Sequence, residues 1–247
     1  MEQAANKLEK EPTLTLVIPV YNESANVKKF FSCLEVAIGC ANQVIIVDGG
    51  SDDGTYQKLE SNISASSFSN ITSLYQSAPG RARQMNFGVR KNTSDVIIFL
   101  HFDTCLPDNA LELVRESIKN GAFWGRFDVR LDNEQPVFRV IENLMNLRSA
   151  MTSIATGDQG IFVRADILRI VNGFPDIPLM EDIELSKNLK ELAPADRIKS
   201  RATTSARRWQ TNGVWKTIAL MWFFRLAYWL GIKPARLARF YRHVNQE

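Results

Sequence analysis

The chain has 247 residues, 45% of them hydrophobic and 23% charged, and carries a formal net charge of +3. That is an ordinary globular composition, long enough for one large domain or two small ones whose core needs no covalent staples. The net charge singles out no partner, and the polar opening "MEQAANKLEKEPT" has no apolar core of the kind a signal peptide needs.

The elements follow in order. "TLTLVIPV" (13–20) predicts a buried strand, rich in β-branched residues. Residues 23–38 predict a helix, with Val27, Phe30, Phe31, Leu34 and Ile38 on one face. A second strand is expected at 43–48, then a loop and short helix at 51–61. Residues 61–70, rich in Ser and Asn, read as a surface loop. A third strand at 71–77, a helix at 80–91 and a fourth strand at 95–103 complete the first half. This alternation predicts a parallel sheet with crossover helices. The second half predicts a long strand at 122–131 and a helix near 137–151. Residues 156–175 read as strand, short helix and loop. Helices are expected at 179–192, with an acidic first turn, and at 212–231. No internal repeat occurs.

Cys33, Cys40 and Cys105 have no metal-ligand spacing and no CxxC pair, which fits a reducing compartment. The expected location is therefore the cytoplasm, with the first dozen residues loosely ordered. Charge is unevenly spread: eleven Lys and Arg, from Arg197 to Arg242, face only Glu247, so the body is net acidic and the tail basic.

In open α/β sheets the ligand lies beyond the carboxyl ends of the strands. There the chain places "PVYNES", "DGGSDDGT" and "HFDT". Turn formation explains the Gly and Asn residues, and it is an alternative for Asp103 as well. It explains a cluster of acids poorly, because such a cluster repels itself unless a cation binds. The first βα turn has no G-x-G-x-x-G and the chain has no P-loop, which sets aside a dinucleotide dehydrogenase and a P-loop nucleotidase. Acidic strand ends suit a nucleotide with a divalent cation, since carboxylate oxygens are hard ligands. Asp48 could accept a hydrogen bond from a base, and Asp103 could reach the metal.

Taken in order and spacing, "IPVYNE", "IIVDGGSDDGT", "GRARQMNFG", "FLHFDT" and "MEDIELS" resemble the family 2 glycosyltransferases, inverting nucleotide-sugar enzymes of the GT-A fold. The resemblance runs over 13–210. "TGDQGIFVR" and "TSARRW" further resemble a bacterial subgroup of small members. It implies a Rossmann-like, mostly parallel central sheet flanked by helices. Residues 13–210 would form the catalytic domain and 211–247 a helical basic and aromatic segment. It implies that Pro19, Tyr21 and Glu23 lie in the nucleotide-binding turn. Asp48 matches the base-contacting Asp and Asp53 the later acid of that motif. Gly49 stands where the family usually has a second Asp, removing one nucleotide contact. Arg83 and Asn86 match the segment near the diphosphate. Asp103 matches the metal-binding Asp of a DxD motif whose first position is His101, a second candidate metal ligand. Asp182 matches the catalytic base. Arg208 and Trp209 match the end of Q-x-x-R-W, but Ser205 stands where Gln belongs, leaving the donor and processivity open. The implied cofactor is Mn²⁺ or Mg²⁺. The implied partners are a nucleoside diphosphate sugar, with UDP-sugars favoured, and an acceptor hydroxyl whose carrier the sequence does not name, a lipid-linked molecule being one candidate. The alternative is a nucleotide-sugar or nucleic-acid binding protein without transfer activity. A pure binder has no need of a carboxylate at Asp182.

Residues 212–242 suggest peripheral contact with the inner face of a membrane. "IALMWFF" and "LAYWLGI" are split by Arg225 and fall short of the ~20 residues a spanning helix needs. Trp215, Trp222 and Trp229 recur every seven residues beside Lys and Arg. Packing on the catalytic domain, or on a second copy, is the alternative. Nucleic acid is not an expected partner.

Overall fold

The structure is a computed structural model and describes residues 10–245; the side chains of Arg208, Asn212 and 241–245 lie outside that description. Most of the N-terminal dozen expected to be loosely ordered also lies outside it, at residues 1–9. Arg208, an expected donor contact, is therefore located by its backbone alone.

One eight-stranded mixed sheet organises the chain, in the order β3-β2-β1-β4-β7-β6-β8-β5. β1 (Leu14–Val20), β2 (Gln43–Asp48), β3 (Thr72–Gln76) and β4 (Val96–Phe99) are mutually parallel. All seven residues of β1 are buried, as expected of a strand covered on both faces. Between them run α1 (Val27–Ala37), α2 (Thr55–Ala65) and α3 (Arg81–Lys91). Two apolar clusters fill the two sides of the sheet, one around Leu16, Ile18 and Phe30 and one around Val17, Ile45 and Met85. α2 extends to Ala65, so half of the expected Ser/Asn loop is helical.

The second half contains β5 (Thr104–Cys105), α4 (Ala110–Lys119), β6 (Trp124–Leu131), α5 (Pro136–Thr152), β7 (Ile161–Arg164) and α6 (Ala165–Ile170). α7 (Glu181–Lys190) and β8 (Asp196–Thr204) follow. β7 runs antiparallel between β4 and β6. It pairs with β6 only at Trp124 and Gly125, which leaves the rest of that β6 edge without a strand. α5 supplies the missing partners: Asn146 bonds both the N–H and the C=O of Val129, at 2.8 and 3.0 Å, and Glu142 accepts from Leu131 N at 2.7 Å. Buried backbone groups need such partners.

Three expectations change. β8 carries no apolar run, because Ile198, Ser200, Ala202 and Thr204 alternate with outward residues that are mostly charged. Arg197 and Arg201, read as part of a basic tail, instead belong to this strand, and Arg197 binds Asp128 at 2.8 and 2.9 Å. β4 stops at Phe99 rather than 103, so His101 and Asp103 lie in a turn, with Phe102 between them stacked on Phe30. The helix expected at 212–231 is present as α9 (Val214–Trp229); a short α8 (Arg207–Asn212) precedes it across Gly213, whose φ of +79° favours glycine, and α10 (Pro234–Asn245) follows. Finally, Cys33 and Cys105 form a disulfide, contrary to the free thiols a reducing compartment would hold. They lie 72 residues apart and are brought together where α1 packs on β5.

Candidate active site

Beyond the carboxyl ends of β1 and β4 lies a cavity of about 410 Å³. Glu23, Arg81, His101, Asp103, Asp158, Asp182, Arg207 and Trp209 are among the residues lining it. Of the expected site residues, it therefore gathers Glu23, His101, Asp103, Asp182 and Trp209.

Asp182 stands in the first turn of α7. The turn is entered through Met180, a residue with φ +70°, which is uncommon outside glycine and recurs at functional sites. One Asp182 oxygen accepts from Gly157 N at 3.0 Å and the other from Ile183 N at 2.8 Å. Burial, and then the adjacent Glu181 carboxylate, push its pKa up to about 7, against the pull of the Gly157 N–H and Arg81. Arg81 reaches Glu181 at 3.5 Å. A carboxyl poised near neutrality can exchange a proton at working pH.

Gly157 sits between two of these groups. A Cβ on it would meet His101 Nε2 at 2.0 Å and Cε1 at 2.2 Å, so only glycine allows the imidazole to lie there. Burial holds His101 well below the usual histidine range, with Arg81 adding to the effect, so the ring is neutral. The turn 157–159 is fixed by a capping box in which Thr156 and Gln159 satisfy each other's backbone.

Asp103 faces this cavity from the turn after β4. Burial, then Asp158 and then Glu23, raise its pKa, and Arg81 opposes them. Glu23 also accepts from Arg207 at 3.2 Å, linking α8 to the first βα turn. Three hard carboxylates pressing on one another suit a divalent cation better than bare self-repulsion. Among the described residues, no three His, Cys, Asp or Glu groups converge closely enough to hold an ion by themselves.

The other expected residues are placed as follows. Asp48 is fully buried and accepts from Gly50 N and Ser51 N, both at 3.0 Å, and from the Ser51 hydroxyl. Asp53 accepts from Ser24 N and Thr55 N, both at 3.0 Å, and its pKa is held down to about 2, chiefly by the Thr55 hydroxyl. Both carboxylates thus shape the loops beside Tyr21, which is exposed; Pro19 is buried in β1. Arg83 pairs with Asp176 at 2.9 Å on the surface, away from the cavity. Asn86 holds both backbone groups of Phe174, at 2.7 and 3.0 Å. The α3 cation in the cavity is Arg81 instead. Trp209 is largely buried against Leu131, Phe138 and Met145.

Arg81, Gly157, Asp158 and Arg207 are among the lining residues that sequence reasoning did not assign to the site. Arg81 and Arg83 stand two apart on a helix, so they point in different directions, and sequence alone does not choose between them. Asp158 had a signal: Thr156-x-x-Gln159 is a capping-box pattern around an acid.

A sequence model of the family described as Glycosyl transferase family 2 matches residues 15–171. A dolichol-phosphate mannosyltransferase of Pyrococcus furiosus is 26% identical over 110 residues, which is 44% of this chain and 31% of that protein. The chain thus spans under a third of that relative's length. Among solved structures, S. aureus TarS 1–349 in complex with UDP-GlcNAc aligns with a TM-score of 0.61 at 14% identity, covering 78% of this chain and 58% of that one. The mannosyltransferase PcManGT from Pyrobaculum calidifontis, in complex with GDP-Man and Mn²⁺, aligns with a TM-score of 0.65 at 17% identity, covering 96% and 71%. Likeness at such identities shows a shared fold, the GT-A arrangement of a mixed sheet flanked by helices. Because the family match extends over more than half of its residues, the chain belongs to glycosyl transferase family 2.

Proposed function

We propose that this chain is a glycosyltransferase that moves a hexosyl group from a nucleoside diphosphate sugar to an acceptor hydroxyl, with inversion at the anomeric carbon. The observation that carries the reading is the Asp182 carboxylate. It is held by two backbone N–H groups on the wall of the cavity that Asp103 and Arg81 also line. Residues 13–210 then act as the catalytic unit and 211–247 as an appended helical segment.

Asp182 takes the proton from the acceptor oxygen as that oxygen attacks the sugar. Its two N–H partners fix the carboxylate before the acceptor arrives, and its pKa near 7 suits proton uptake at neutral pH. Arg81 faces the charge that builds on the departing diphosphate. One unit charge at ~4 Å is worth ~4 kcal/mol at an effective dielectric of ~20. That amounts to roughly a thousandfold in rate if it is felt mainly in the transition state. Asp103 would hold a hard divalent cation, Mn²⁺ or Mg²⁺, only together with oxygens of the donor phosphates, Glu23 and Asp158 adding negative potential rather than a ready-made ligand set. When bound, that cation supplies Lewis-acid neutralisation of the diphosphate. His101 backs the turn as a neutral ring. Tyr21 is free to stack on the base, and Asp48 and Asp53 hold the loops on either side.

Complexes of fold neighbours with UDP-GlcNAc and with GDP-Man and Mn²⁺ support a nucleotide sugar as the donor class. The motif likeness favours a UDP-sugar. The acceptor is read as lipid-linked and the location as a membrane surface. Incubation with a panel of UDP- and GDP-sugars plus Mn²⁺ tests the reading. The expected result is metal-dependent release of nucleoside diphosphate, with the released sugar inverted by NMR. No turnover of any donor, or retention of configuration, refutes it.

A further inference from the structure

α9 has 16 residues, and only Lys216 and Arg225 among them are charged. A helix apolar on all sides needs cover on all sides. Its inner face has cover: Thr217, Phe224 and Ala227 are buried, and Val214, Ile218 and Met221 pack on the cluster that contains Trp209. Its outer face does not. Trp215, Trp222 and Trp229 stand seven residues apart and are 77, 69 and 80% exposed. Phe223, Leu226 and Leu230 beside them are also exposed. α10 folds back along this helix, with the Phe240 ring 6.0 Å from Phe223 and 6.2 Å from Phe224. Around it stand exposed Lys233, Arg236 and Arg239. Between Asp196 and Glu247 the sequence has no acidic residue.

Three features together identify what covers this face. The apolar area is aromatic, and Trp is the residue that settles at the headgroup level of a bilayer. The charges that α9 and α10 themselves carry are all positive, Glu184 of α7 meeting α9 at Tyr228, and they are complementary to anionic lipid and self-repelling against a second copy of the same face. Among the described residues, no helix is long and apolar enough to cross a membrane, so a bilayer contact through α9 would run along the surface rather than through it. The same helix touches the cavity from its other side, through Thr217, Met221, Phe224 and Arg225.

We infer that the outer face of α9 and α10 docks into the headgroup layer of an anionic bilayer, so that the cavity opens beside the membrane and receives its acceptor hydroxyl from an amphiphile. The acceptor clause rests on the transfer reading; the docking does not. The test is flotation of the full chain with phosphatidylcholine vesicles, with and without phosphatidylglycerol. At low salt the protein is expected to float with the anionic vesicles and to stay down with the neutral ones. Brominated lipid should quench its tryptophan fluorescence. Lys233→Gln with Arg236→Gln should weaken partitioning by roughly 25-fold, about fivefold for each charge near the surface. Replacing Trp215, Trp222 and Trp229 by Ser should abolish both flotation and quenching. None of these five residues lines the cavity, so hydrolysis of a soluble donor should be unchanged. Protein that stays at the bottom with anionic vesicles overturns the inference. So does equal flotation on neutral vesicles. So does a dimer in sedimentation velocity that the Trp replacements dissolve without any flotation of the parent. Because the parent needs no substitution to be tested, misfolded variants leave the outcome intact. Flotation without donor turnover would sink the transfer reading alone.

Discussion

Gly157→Ala tests whether the glycine seat between His101 and Asp182 does what its geometry implies. The new methyl would lie 2.0 Å from His101 Nε2, nearer than any real contact, so the imidazole or the 157–159 turn must move. Overpacking of this kind costs ~1–3 kcal/mol, which lowers the melting temperature by about 2–4 °C per kcal/mol at this size. If the turn moves, the Gly157 N–H leaves Asp182. A hydrogen bond to a charged acceptor is worth ~1.5–3 kcal/mol. That N–H lowers the Asp182 pKa, so its loss raises it further above about 7, by about one to two units. The limb on which activity rises with pH should therefore move alkaline, and the rate at neutral pH should fall by tenfold or more. The assay is a pH profile of kcat/KM together with thermal unfolding. His101→Ala in the same chain should recover most of the melting temperature, because the clashing ring is gone. A Gly157→Ala enzyme with unchanged profile and unchanged melting would refute the packing argument, as would a double variant no better than the single one.

Arg81→Ala should weaken nucleoside diphosphate binding, whereas Arg83→Ala, which frees only the exposed Asp176, should leave it nearly unchanged; calorimetry with UDP and GDP distinguishes them. Asp103→Ala should abolish the Mn²⁺-stimulated part of nucleotide affinity, and His101→Ala should reduce it less; equal loss in both would give His101 a ligand role. Reduction of Cys33–Cys105 reopens a 72-residue loop and should cost ~4 kcal/mol of stability on the chain-entropy account, read as a lower denaturant midpoint in reductant.

β1, β2 and β4 were legible because continuous apolar runs rich in β-branched residues have one common use, burial on both faces; β3, at the sheet edge, is only half-buried. β8 was not, since Ile198 is the one large apolar residue among its inward positions, Ser200, Ala202 and Thr204 being small or polar, and its outward ones are mostly charged. The turn at His101–Asp103 was misread as strand because Phe102, apolar like the run before it, continues the pattern while packing elsewhere. Among site residues, Asp182, Asp103 and Glu23 reach the cavity that the motif order led one to expect. For Asp48 and Asp53 the sequence did not show that each carboxylate also ties down its own loop, a contact that depends on where Ser51, Ser24 and Thr55 fall in the fold. The Cys33–Cys105 pairing had no local signature at all. It depends on α1 packing against β5, a tertiary fact.

The most direct test of the central claim is Asp182→Asn, measured for donor binding and for transfer to an acceptor across pH. The amide keeps the shape and can still accept from Gly157 N, but it cannot take a proton. The account predicts unchanged donor affinity and a rate lower by ~10² to 10⁴. The rise in parent activity as pH passes about 7, where Asp182 loses its proton, should be missing from the variant. Parental transfer by the purified variant, or the same pH-dependent rise in it, would contradict the assignment of Asp182 as the base.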